Sequence, residues 1–189
     1  MNASPADRMK GRDFRQTAAG ENTLKVEIPL QAVPIDKREI ALALGYSDRK
    51  LPPHFEDLID EVIRRSPEFC ALQAGYRVLD VEKTLGSRQY IQVGETQFHT
   101  RQLVSAQLKN AEKIVLFLCS IGSGMEEWSR ESSGNGDPAL GYFIDTTASV
   151  IVESAVDVLH RSLGDFFKLQ GLNITNRYSP GYCDWPVDE

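Results

Sequence analysis

Apolar and polar positions change period several times along the chain, and each change marks an element. Residues 1 to about 22 are polar, mixed in charge and without period, which predicts a flexible tail ahead of a single domain over 23–189. "LKVEIPL" (24–30) alternates and predicts an edge strand, with Pro29 limiting its ladder. "DKREIALALGY" (36–46) predicts a short helix with Asp36 as N-cap and Gly45 as stop. In 52–73, Phe55, Leu58, Ile59, Val62 and Ile63 recur at helical spacing. "YRVLDVEKT" (76–84) and "QYIQVGETQFHT" (89–100) read as strands around a Gly-Ser-Arg turn, and a helix is expected over 101–112.

"KIVLFLCSIG" (113–122) is a continuous apolar run, the pattern of a strand buried on both faces. A helix follows in "SGMEEWSRESS", and "GNGD" breaks it. The longest pattern runs from Asp137 to about Leu169. There Leu140, Ile144, Ala148, Ile151, Ala155, Leu159 and Phe166 form one apolar stripe, and Gly171 ends it. "LNIT" predicts a last short strand. The class expected is α+β: an antiparallel-rich twisted sheet packed with helices, one of them long and central.

Composition narrows the functions open to this fold. The 189 residues suit one domain with one sizeable core. A formal net charge of −6 disfavours nucleic acid and anionic membrane as partners, because both select clustered Lys and Arg. No apolar run approaches the about 20 residues that a bilayer span needs. The start lacks the apolar stretch of a signal peptide. Cys70, Cys119 and Cys183 are an odd count without motif spacing, so a reducing cytoplasm is expected rather than a disulfide framework.

Most candidate chemistry is weak. "CSIGSGMEE" sets glycines between a strand and a helix, but lacks the Lys-Ser/Thr of a phosphate loop and the full Gly-x-Gly-x-x-Gly; a tight turn is the default. His54, His99 and His160 are too scattered for a zinc site. No Gly-x-Ser-x-Gly elbow is present, and no nearby histidine activates Cys183. Glu153 falls off the apolar stripe of the long helix, near Thr146, Ser149 and His160; it reads as a solvated face or as a carboxylate beside a ligand groove.

The closing "NRYSPGYCDWPVDE" (176–189) carries more signal. Pro180 and Gly181 favour a turn, and glycine lets a ligand approach the main chain. Arg177 offers a fork of donors matched to a carboxylate. Tyr182 offers a flat apolar face with a polar tip. Spacing alone leaves two readings open: a surface turn with a structural arginine, or a seat for a small zwitterion bearing an aromatic ring.

"RYSPGY" (177–182) resembles the R-x-x-P-G-Y motif of the S-adenosylmethionine-binding activation domain of cobalamin-dependent methionine synthase, in its short stand-alone form. "FLCSIGSGMEEW" (117–128) is similar to that family's strand-glycine-helix segment. "GDPALGYFIDTTASVIVESAVDVLHRSL" (136–163) resembles its long helix, with Glu153, Asp157, Leu159 and His160 in matching order. The resemblance covers roughly 24–189. It implies cofactor-binding residues at Glu153, Arg177, Ser179, Gly181 and Tyr182, and no catalytic side chain or metal ligand. Arg177 would pair with the methionine carboxylate, and Glu153 would favour the ammonium or sulfonium. Main chain around Ser179 and Gly181 would meet polar atoms, and Tyr182 would pack beside the ligand. The family also uses an aspartate early in the domain; Asp36 is nearest in position, but its surroundings do not match and it is not carried over. The family's domain normally continues past this motif with a helix and further strands, so the resemblance implies a domain without its C-terminal part.

The function implied is a cytoplasmic reactivation module in a methionine synthase-type methyltransferase system of methionine biosynthesis. In that family an oxidised cobalamin is reduced by a donor such as flavodoxin, then methylated by S-adenosylmethionine held on this domain. The cobalamin would sit on a partner corrinoid protein or on methionine synthase modules. The chain has no Asp-x-His-x-x-Gly cobalamin motif, no cysteine set for zinc-bound homocysteine and no length for a folate barrel, so it is not a complete methionine synthase. A second reading is a binding module without turnover, sensing S-adenosylmethionine or a related metabolite, or escorting a corrinoid protein. A third, a methyltransferase acting on a small molecule, ranks last because the glycine-rich strand-loop-helix of Rossmann methyltransferases is missing.

Overall fold

Alternation in the strands and a four-residue rhythm in the helices sort the side chains into layers. The computed structural model describes residues 15–18, 23–46, 51–81, 89–93 and 96–188. Strand β1 (Arg15–Ala18) pairs antiparallel with β2 (Leu24–Glu27), β2 with β3 (Gln73–Asp80), and β3 with β6 (Lys113–Ser120). The four-stranded sheet therefore runs β1-β2-β3-β6. A two-stranded sheet joins β4 (Ile91–Val93) to β5 (Thr96–Phe98). The helices are α1 (Lys37–Ala43), α2 (Pro53–Phe69), α3 (Arg101–Leu108), α4 (Gly124–Gly134) and α5 (Pro138–Lys168). This is an α+β fold of antiparallel sheets and helices with one long helix.

Two caps set helix starts where the sequence places them. The Asp36 carboxylate accepts from the Arg38 amide at 2.8 Å, and the Asp137 carboxylate from the Leu140 amide at 2.9 Å. The α5 stripe then faces two clusters at once. Its first half puts Phe143 and Ile144 against Ile40 of α1, Ile59 and Val62 of α2, and Met125 and Trp128 of α4. Its second half puts Ile151, Ala155 and Leu159 against Val26, Ala74 and Tyr76 of the sheet. By length and composition α5 also resembles a membrane span, but here the stripe forms the protein's interior. Gly141 permits the α4–α5 contact: a Cβ there would meet the Ser129 carbonyl at 2.8 Å. The Ser129 hydroxyl instead donates to the Gly141 carbonyl at 2.8 Å.

Several expectations are corrected. β2 is interior, flanked by β1 and β3, and not an edge strand; its ladder ends before Pro29. Arg15–Ala18, expected within the tail, is a strand, while 1–14 and 19–22 lie outside the described residues. The strand at 73–80 pairs with β2 and β6, and meets the 89–100 region only through a Val81–Val93 bridge. The Gly-Ser-Arg turn lies outside the described residues. β6 ends the sheet among the described residues and is covered fully on neither face: Val115, Phe117 and Cys119 meet the α5 cluster, and on the other face Ile114 packs against the cluster of Ile91, Val93 and Val104, whereas Leu118 is 75 % exposed. "LNIT" forms no strand; 172–179 runs as irregular chain.

Candidate functional site

Helical geometry builds one wall of the site. Glu153, Asp157 and His160 stand at i, i+4 and i+7, so they line one ridge of α5, away from the stripe that buries Ile151, Ala155 and Leu159. Segment 172–179 runs beside this ridge, and three side-chain contacts hold it there. Nη2 of Arg177 donates to Glu153 Oε2 at 2.8 Å, and Nη1 donates to Asp157 Oδ1. His160 Nε2 lies 2.9 Å from the Thr175 carbonyl, which can only accept, so the ring nitrogen is the donor. The Arg177 side chain is 31 % exposed, against 70 % for Glu153 and 54 % for Asp157. Burial lowers the Arg177 pKa, but the hydrogen bonds that Arg177 donates to Asp157 and Glu153, with their charges, outweigh it and leave the net shift upward. The guanidinium stays charged at any working pH.

The carried-over residues do not all meet. Arg177 and Glu153 are in contact. Ser179, Gly181 and Tyr182 sit on the next turn, where Gly181 has φ +91° and packs under Val187. Two amides of that turn are already engaged within it. The Gly181 amide donates to the Trp185 carbonyl at 2.8 Å, and the Tyr182 amide to the Ser179 carbonyl at 3.1 Å. At Gly181 and Tyr182, main-chain contact with a ligand would use carbonyl oxygens, which keep a second lone pair. The Tyr182 ring is exposed and does not line the neighbouring cavity. Trp185 anchors the turn from below, edge-on to Phe98 at 6.2 Å and within the cluster around Ile91, Val93 and Val104.

A cavity of about 490 Å³ opens next to this turn. Lys113–Phe117 of β6 line it in unbroken succession, and so do residues 171–178. Alternate strand residues point to opposite faces, so an unbroken run shows that the cavity lies along the edge of β6. Leu163 and Phe167 of α5 form one side, and Ile91, Val93, Phe98 and Trp185 another. Of the carried-over residues Arg177 alone borders it. A volume in the range of ligand clefts, with largely apolar walls and with Lys113, His160 and Arg177 in the polar part of its lining, suits a flat, mostly apolar group with one polar or anionic end.

Asp157 is the residue that the expected set lacks. Its signal was present: a second carboxylate four positions after Glu153 on a helix places both on one face. Asp36, set aside for want of matching text, is a helix cap. The glycine turn before α4 shows no sign of anion binding. The Gly122 amide is bonded to Ser120 Oγ at 3.1 Å, and Glu126 and Glu127 occupy the first turn of the helix. No group of three or more His, Cys, Asp or Glu side chains suited to a metal ion occurs among the described residues. No known protein-family model and no curated protein matches the chain.

Proposed function

We propose that this chain binds S-adenosylmethionine and presents its methyl group to a reduced cobalamin carried by a partner corrinoid protein. The observation that carries the reading is the Arg177 fork, held against the two helix carboxylates Glu153 and Asp157 at the border of an apolar cavity. One guanidinium, two carboxylates, a broad apolar wall and an exposed tyrosine match the parts of the ligand: carboxylate, cationic centres and adenine ring. Bound S-adenosylmethionine would supply the methyl group, and a reduced cobalamin on the partner would supply the nucleophile that accepts it, with S-adenosylhomocysteine as the leaving product. The chain's residues bind and orient. Arg177 fixes the carboxylate end, Glu153 the cationic half, and Tyr182 covers the ring, so the protein's contribution is positioning.

The test is transfer of a labelled methyl group from S-adenosylmethionine to free cob(I)alamin, with and without the chain. Faster transfer that saturates with protein supports the reading. Saturable binding with no acceleration, on free or protein-bound corrinoid, favours a binding module without turnover.

A further inference from the structure

Asp157 holds Arg177 as directly as Glu153 does, one nitrogen of the fork to each. One guanidinium (+1) and two carboxylates (−2) leave this cluster at −1. A ligand bringing only a carboxylate would drive it to −2 and compete with two carboxylates already on the donor. A ligand bringing only a cation would find Arg177 in its place. A zwitterion meets both conditions. Its carboxylate takes the fork, its ammonium takes the position on α5 that the fork leaves, and the net charge does not change.

We infer that Asp157 is a specificity-determining residue of this site: together with Glu153 it receives the ligand's α-ammonium as Arg177 transfers to the α-carboxylate. The inference rests on the S-adenosylmethionine reading and adds the requirement that the ligand carry an intact α-amino-acid head. The placement of the parts leaves room for the exchange. Both carboxylates stand one turn apart on a helix locked into the core, and both are open to solvent. Arg177 sits on irregular chain and borders the cavity, so it has space to turn into.

Seven titrations decide it: wild type, Asp157→Asn and Asp157→Glu, each with S-adenosylmethionine and S-adenosylhomocysteine, and wild type with the 2-deamino form of S-adenosylhomocysteine. Melting curves establish that each variant is folded. Asp157→Asn is expected to weaken both head-bearing ligands by about tenfold or more, as loss of a charge-assisted bond does. Asp157→Glu is expected to recover most of that loss, and the deamino compound to bind wild type about tenfold more weakly than its parent. Unchanged or tighter binding by Asp157→Asn overturns the inference, since Asp157 would then be only a bystander or a competitor for Arg177. A deamino compound that binds as well as its parent overturns it too. A wild type that takes neither head-bearing ligand overturns the underlying reading, and the inference with it.

Discussion

The two faces of α5 are held in place by different physics. The inner face sets Ile144, Ile151, Ala155 and Leu159 among residues from β2, β3, α1, α2 and α4, all with almost no exposed surface. Each position there has many neighbours, and water is excluded. The outer ridge holds its segment through two ion pairs and one histidine-to-carbonyl bond, all within reach of solvent. Exposed ion pairs contribute little to stability, so the ridge is a poor fastener. It is a better candidate for exchange, because contacts of low cost to the free protein can be given up to a ligand. The fold and the candidate site thus lie on opposite faces of a single helix.

Substitutions on the two faces should therefore behave differently. Ile151→Ala removes fully buried methyl groups where α5 meets the sheet and should cost about 2–5 kcal/mol in a denaturant titration. A loss under 1 kcal/mol would mean that the inner face is not the rigid partner described here. Arg177→Ala should do the reverse. S-adenosylmethionine affinity should fall by about 1.5–3 kcal/mol in calorimetry, while stability changes by less than about 1 kcal/mol. A variant that unfolds would move the ridge to the structural side of the comparison.

Smaller effects sharpen the contrast. Asp137→Ala deletes the cap that starts α5 and should cost about 1 kcal/mol without altering ligand binding. The cysteines supply a pH test. Burial pushes the Cys70 thiol up from 9.0 to about 11 and raises Cys119 as well, while Cys183 is exposed. Between those values the folded chain keeps the Cys70 proton that the unfolded chain releases. Stability from this group is therefore complete below about pH 9 and declines as pH rises toward 11. Cys70→Ser should flatten that decline in melting curves taken across the range, and thiol labelling at pH 8 should reach Cys183 before Cys70.

Local chemistry was the part of this protein most legible in its sequence. Asp36 and Asp137 announce their helices because a cap acts on amides two or three residues away. The α5 stripe announces its buried face because helical period and burial coincide. Edges were harder to read. The apolar run 113–122 matches a strand covered on both faces, yet its outer face leaves Leu118 open, and nothing within the run tells how many layers will form. Pairing was harder still. The 76–84 and 89–100 segments look like a hairpin by proximity, but β3 takes β2 and β6 as neighbours, a choice made by residues far along the chain. The site divides in the same way. Arg177 and Glu153 stand out by type, whereas the two-carboxylate hold on Arg177 depends on where 172–179 crosses α5.

Calorimetric titration of the chain with S-adenosylmethionine, with S-adenosylhomocysteine alongside, tests the central claim most directly. The account predicts saturable binding of both at one site per chain, lost or greatly weakened in Arg177→Ala. A folded wild-type chain giving no saturable heat with either ligand, and no protection of 172–182 from hydrogen exchange in their presence, would contradict it.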